Sequence, residues 1–396
     1  MIEEHIRAAA LTTRGGFLSR DAQTLFRSYG RTPMRRWVFK VHLWIGALAG
    51  GFFVVLGITG SILAFELPLD HLLNAKLSYI SPSPRDLPLN QILRSVQASF
   101  PSDGIAAVSF AGSPNLAWQV ALPSGIAYVN PHTAQVLGLR SRGQTFLGFA
   151  RRLHVSLASG NIGRSAIRWS NLATLLLVIS GLGLWWRDGR IRLHGFDRTR
   201  RFWSDLHKVI GVVFSALLLI ASGTGAFISF EGPLSQAIRA FHGSDPTVPS
   251  QQLLPQPSQG TTYTEPGQAL TVAQALLPND APSRMQMPAY GGTYKISMIE
   301  HRFMTTDFER VVTIDPYSGK VLFVSSDADL SLAQRLFAAN EAVHTGGAFG
   351  VMGRALMALA GIMVLPQAVS GLMMWWKRVT IKARHKLHPS GERISI

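Results

Sequence analysis

Four apolar runs stand out from an otherwise mixed chain: Val41–Phe65, Trp169–Trp186, Val209–Phe230 and Ala355–Trp376. Each approaches or exceeds the roughly 20 residues that carry a helix across a bilayer, so the pattern predicts four membrane spans. The second is the shortest. Between the runs the periodicity changes. Leu89–Phe100 and Ala269–Leu277 have helical apolar spacing, whereas Ile105–Phe110, Leu116–Ala121, Ile126–Asn130, Tyr294–Glu300 and Arg310–Asp315 read as strands. Residues 246–267, rich in Pro, Gln, Ser and Thr, read as a linker. The expected order is a basic N-terminal segment (1–40), a span (41–65), an α+β domain (66–150) and a second span with a histidine ahead of it (151–186). A loop (187–208), a third span (209–230), a second α+β domain (231–335), a fourth span with its own leading histidine (336–376) and a tail (377–396) complete it.

Composition sharpens this. The chain of 396 residues is 47% hydrophobic and only 15% charged, against about 25% charged for a soluble domain. Net charge is +16, and its distribution sets the topology. Residues 1–41, 187–208 and 377–396 hold 21 of the 38 Lys and Arg, which predicts that these segments are cytoplasmic. Both termini then lie inside, and both α+β domains face outward. A nucleic-acid partner is not expected, because that charge is split among three short juxtamembrane runs rather than gathered on one module. The first run is followed by Glu66 and Pro68 rather than small residues, so no cleavable signal is expected. There are no cysteines, which excludes disulfides, thiolate-ligated zinc, iron–sulfur clusters and covalently attached haem.

The two halves repeat each other. His42-Leu-Trp-Ile-Gly46 and His207-Lys-Val-Ile-Gly211 each reach Phe-Glu after the same interval (Phe65-Glu66, Phe230-Glu231), with Thr59-Gly60 matching Thr224-Gly225. His154 and His344 are each followed by Gly (Gly160, Gly350), Gly-Arg (Gly163-Arg164, Gly353-Arg354), Ser-Gly-Leu and Trp-Trp at identical offsets. The α+β domains share Asn130-Pro131 and Asp315-Pro316 turns between strands. Ala134 stands in the first turn where Gly319 stands in the second, and this predicts a distorted first turn.

Of twelve histidines, these four alone occupy matched positions in or beside the spans. An ionisable side chain there is a functional candidate by default. The predicted topology pairs His42 with His207 near the cytoplasmic face and His154 with His344 at the outer face. Two imidazoles fill half a zinc site, but they suffice for haem, whose porphyrin supplies four nitrogens. Gly46 and Gly211, one turn from their histidines, are expected to make room for a flat macrocycle. Arg164 and Arg354 are candidates to hold its propionates; snorkelling to lipid phosphate is their ordinary alternative.

These motifs together resemble the PepSY-associated transmembrane proteins over about residues 35–380, and most of all the inner-membrane ferric-siderophore reductases of Gram-negative bacteria. The resemblance implies two outward (periplasmic) PepSY domains on a four-helix membrane bundle built from two repeats. In the reductases it implies two b-type haems, with His42, His207, His154 and His344 at the matching positions. The expected activity is reduction of a ferric siderophore with release of Fe(II) in the periplasm. No nucleotide or flavin motif is present, so a separate donor, a quinol or a cytoplasmic reductase, is expected to supply electrons. The competing readings are a regulatory or peptide-binding membrane protein and a permease; parallel rather than inverted repeats count against the last.

Overall fold

The chain is seen in a computed structural model that describes residues 33–141, 145–186, 200–242, 263–288, 292–300, 308–325 and 332–387. Most of the basic N-terminal segment, most of the 187–208 loop, most of the 246–267 linker and the last residues of the tail fall outside the described residues.

The helices and strands, in order, are α1 (Pro33–Leu63), α2 (Glu66–Leu73), α3 (Ala75–Ser78), α4 (Leu89–Ser99), β1 (Ala107–Ser109), β2 (Trp118–Ala121), β3 (Gly125–Val129) and β4 (Val136–Ser141). There follow α5 (Phe146–Ser156), α6 (Gly160–Trp186), α7 (Arg200–Val213), α8 (Ser215–Ser229) and α9 (Glu231–His242). The second half continues with α10 (Pro266–Leu276), β5 (Ala281–Gln286), β6 (Tyr294–Glu300), β7 (Phe308–Ile314), β8 (Val321–Val324), α11 (Leu332–His344) and α12 (Gly350–Leu387).

Among the described residues, three helices are long and apolar enough to cross a membrane, within Pro33–Leu63, Gly160–Trp186 and Gly347–Thr380. A fourth crossing exists if α7 and α8, broken at Phe214, count as one. Their apolar side chains point largely outward: Leu48 is 75% exposed and Ile162 81%. Water would not tolerate such a surface, whereas lipid favours it. α1 begins ahead of its apolar run and α12 extends past its own at both ends, because backbone hydrogen bonding continues into flanking polar residues such as Arg35 and Lys377.

The chain divides into two compact units. One gathers the residues up to Gly50, Leu176–Ser215 and those from Ala368 onward. The other gathers Gly51–Leu175 and Ala216–Gln367.

Within the second unit the two α+β segments expected at 66–150 and 231–335 are joined to each other. Their strands form one eight-stranded antiparallel sheet in the order β4-β3-β2-β1-β5-β6-β7-β8. The join is β1 against β5, with Ala107 opposite Gln286, Val108 opposite Met285 and Ser109 opposite Arg284. Each half-sheet alone would leave an open edge of unpaired backbone groups, and pairing the two edges removes both. A single core follows. Leu89, Ile92, Leu93 and Val96, spaced to share one face of α4, pack with Ala269, Leu270 and Ala273 of α10 over Val108, Val120, Met285, Ile296 and Val312. At the helix join, Asn90 Oδ1 accepts from the Gly267 amide at 2.8 Å.

The expected distortion of the first turn is overturned. Ala134 adopts φ 56° and Gly319 φ 67°, and both amides donate to the residue four back, Asn130 and Asp315, at 2.9 Å. Ala134 simply takes the left-handed conformation, at about 1 kcal/mol of strain. The domain is tied to the first span by Asp70 of α2, buried beneath the sheet, which pairs with Arg140 and accepts from the Tyr128 hydroxyl at 3.3 Å.

Candidate functional site

His154 lies in the last turn of α5 and His344 ends α11, each just ahead of a sharp reversal into an apolar helix. The reversal explains the repeated glycines. Gly160 and Gly350 open α6 and α12 at φ 59° and 60°, a region that penalises any side chain. Three residues on, a Cβ on Gly163 would sit 1.7 Å from the Ser156 carbonyl oxygen, and one on Gly353 2.3 Å from that of Gly346. Only glycine lets the histidine-bearing helix lie so close against the next one.

The reversal delivers the two imidazoles to each other, with ring centroids 6.3 Å apart. His154 Nδ1 lies 3.1 Å from the Leu56 carbonyl oxygen and 3.0 Å from Thr59 Oγ1. The Thr59 hydroxyl already donates to the Val55 carbonyl at 2.7 Å. Both neighbours therefore accept, the proton belongs on Nδ1, and Nε2 carries the lone pair. His344 is held in the same way: its Nδ1 is 2.9 Å from Thr224 Oγ1, whose own proton goes to the Ile220 carbonyl at 2.6 Å.

The other unit contains a second copy of this arrangement. His42 and His207 have ring centroids 6.2 Å apart. His42 Nδ1 is 2.9 Å from Ser180 Oγ, which donates to the Leu177 carbonyl at 3.1 Å. His207 Nδ1 is 3.1 Å from Ser370 Oγ. In all four cases the residue after the hydroxyl is a glycine facing the imidazole. A Cβ would lie 2.9 Å from His154 Cε1 at Gly60, 3.2 Å from His344 Cε1 at Gly225, 3.1 Å from His42 Cε1 at Gly181 and 3.3 Å from His207 Cε1 at Gly371. The Thr-Gly and Ser-Gly dipeptides thus work as one device: the hydroxyl fixes the ring, and the glycine admits it.

The sequence reading gave the space-making role to Gly46 and Gly211. Among the protein's own atoms a Cβ on Gly46 would meet only Leu177 at 3.8 Å, an ordinary contact. The residues it missed as partners, Thr59, Thr224, Ser180 and Ser370, were in view as repeats. Arg164 and Arg354 are exposed on the first turns of α6 and α12. Arg164 donates to Asn161, and neither arginine is a hydrogen-bond partner of His154 or His344.

The two sides of the His154–His344 pair differ. Near His344, Asn340 donates to the Thr224 carbonyl at 3.1 Å and Asn171 to Ser229 Oγ at 3.0 Å. Arg168, a charge inside α6 that the sequence reading placed just outside the span, donates to the Ser229 carbonyl at 3.0 Å and lies 5.0 Å over the Phe230 ring. The repeat positions on the His154 side are Ala150, Gly361, Ala64 and Ala358. There the helices meet directly: a Cβ on Gly57 would be 2.5 Å from the Gly361 carbonyl oxygen.

In both pairs the rings stand 6.2–6.3 Å apart, and the imidazole nitrogens would be the donors to a metal held by the pair. Among the described residues, neither belongs to a group of three or more His, Cys, Asp or Glu able to hold a metal ion. The donor set therefore fits an iron whose other ligands come from a macrocycle, and falls two ligands short for structural zinc. A sequence model of the PepSY-associated TM region matches residues 39–378. No curated protein matches the chain.

Proposed function

Starting from a chain that belongs to the PepSY-associated TM region family and that carries apolar helices able to cross a membrane, we propose a dihaem b-type reductase of the bacterial inner membrane. It passes electrons outward and reduces ferric siderophore at the outer face. The observation that carries this is the pair of matched sites: two imidazole pairs with ring centroids 6.2 and 6.3 Å apart, each Nδ1 held by a hydroxyl group. In this reading the four spans form a bundle of two repeats, both termini are cytoplasmic, and the sheet domain is periplasmic.

His42 and His207 hold one haem and His154 and His344 the other; when bound, these groups supply one-electron carriers cycling between ferric and ferrous iron. The chain's own residues make that cycling possible. Thr59, Thr224, Ser180 and Ser370 fix each ring and raise the basicity of its Nε2, as partners of metal-bound imidazoles do. The glycines that follow keep each ring at its working distance. Close packing of the apolar helices keeps water from the sites. The substrate follows from iron chemistry: a siderophore holds Fe(III) through hard oxygen donors and holds the softer Fe(II) weakly, so reduction releases the metal. A charged chelate cannot enter lipid, which places the reaction on the outer side. A separate quinol or cytoplasmic reductase supplies the electrons.

The test is a spectrum and a titration. Purified protein is expected to show a Soret band, a sharp reduced α-band and close to two haems per chain, falling toward one in His42→Ala or His344→Ala. Dithionite-reduced protein is expected to be reoxidised by a ferric siderophore, with Fe(II) caught by a ferrous chelator, and His154→Ala to abolish this. Unchanged haem content in both single mutants refutes the assignment; a chain with no haem favours a regulatory PepSY protein.

A further inference from the structure

Two tryptophans beside the His42–His207 pair have unexplained chemistry. The indole Nε1 groups of Trp185 and Trp203 are buried and have no hydrogen-bond partner among the described residues. A buried donor left unpaired is costly, and native proteins rarely leave one. The usual role of a tryptophan at a span's end is to face the headgroups. Trp186 and Trp376, 79% and 59% exposed, are placed for that. Trp185 and Trp203 turn their N–H groups inward.

Position relates both to the imidazole pair. Trp185 is one turn beyond Gly181, the residue packed against His42 Cε1, and so lies on the same face of α6. Trp203 is one turn before His207 on α7. Since α6 leads into the 187–199 connection and α7 leads out of it, both lie on the connection side of the pair, each about 6 Å along its helix. The repeat does not reproduce this. The counterpart of Trp203 is Val38, which has no donor, and the counterpart of Trp185 is Trp375.

We infer that Trp185 and Trp203 form a two-donor site for a hydrogen-bond-accepting oxygen brought by a bound molecule next to the His42–His207 pair. The inference rests on the reading of that pair as a haem site. The oxygen has two sources of the same chemistry: a carboxylate of the haem, or the carbonyl of a membrane quinone meeting its edge. Two neutral donors satisfy a quinone carbonyl without burying a charge, and toward a carboxylate the same N–H groups make the stronger, charge-assisted hydrogen bonds.

The experiment uses full-length protein in nanodiscs, with Trp185→Phe, Trp203→Phe and the control Trp375→Phe, all of which keep ring bulk. Haem content of the unmutated protein is read first, and its absence refutes the proposed function rather than this site. Resonance Raman then reads the haem propionate bending bands, and quenching of tryptophan fluorescence reads binding of a short-chain quinone analogue. Shifted propionate bands in both test variants, with quinone binding unchanged, assign the site to the haem carboxylate. Unshifted bands with about tenfold weaker quinone binding in both, about 1.4 kcal/mol, assign it to quinone. If neither readout moves, or if Trp375→Phe moves them equally, the inference is overturned.

Discussion

Replacing Gly60 by alanine tests the hydroxyl–glycine device at its tightest point. The new Cβ would stand 2.9 Å from His154 Cε1 and 3.5 Å from Nδ1, whereas ordinary contact begins near 3.4 Å. The ring has to retreat by about 0.5–1 Å, and that retreat works against its two hydrogen bonds, to Thr59 at 3.0 Å and Leu56 at 3.1 Å. Stretched beyond about 3.5 Å, neither remains a hydrogen bond. At about 1 kcal/mol each the loss is about 2 kcal/mol, or roughly 30-fold in affinity, within the range found when partners of metal-bound histidines are removed. The helix itself gains up to about 1 kcal/mol when glycine becomes alanine, which offsets part of that loss in the metal-free fold. Titrating haem into apo-protein and following the Soret band separates the two effects. Gly371→Ala, with its Cβ at 3.3 Å from His207 Cε1, should lose least of the four. Unaltered haem affinity in Gly60→Ala, or a larger loss in Gly371→Ala, would refute the reasoning.

Gly361→Ala drives a Cβ to 2.5 Å from the Gly57 carbonyl oxygen and 2.4 Å from Ser61 Oγ; backbone cannot step aside as a flexible side chain can, and denaturation in detergent should show about 1–3 kcal/mol of destabilisation. Ala134→Gly should stabilise the sheet domain by about 0.5–1 kcal/mol, since the residue already sits at φ 56°; a lower melting temperature would count against the strain. Burial pushes the Tyr128 phenol up to about 12, with the Asp70 carboxylate adding to it and Arg140 opposing. The raised value means that this contribution is intact below pH 10 and is lost as pH climbs from about 10 to about 12, by roughly 2 kcal/mol. Tyr128→Phe should flatten the pH dependence of domain unfolding in that window, and parallel curves for the two proteins would show that Tyr128 is not its source.

The spans and the sheet were legible to different degrees because they are written in different codes. A long apolar run has few alternatives to a membrane helix, and Tyr294–Glu300 alternates clearly enough to match its strand. β5 was missed: Ala281–Gln286 contains Pro282 and Arg284 and has little strand character of its own. Its pairing with β1 is a tertiary fact, which no local pattern announces. The histidines were legible through duplication. Their partners were harder to see, since Thr59 and Ser370 in an apolar helix look like residues bonded to their own backbone. Thr59 is indeed so bonded, and that spent proton is what turns its oxygen toward His154. Charge drew attention to Arg164 and Arg354, while Arg168 lay hidden at the edge of an apolar run.

The β1–β5 seam has a bearing on how the chain is made. The paired residues Ala107 and Gln286 lie about 180 positions apart, with two apolar helical segments, α6 and the α7–α8 pair, between them. During synthesis the first four strands emerge and fold well before β5 exists. For that interval β1 is a bare strand edge, open to any other unpaired strand. Its three residues offer such an intruder very little to grip. The shortness of the seam, a weakness in the finished sheet, protects the half-built one.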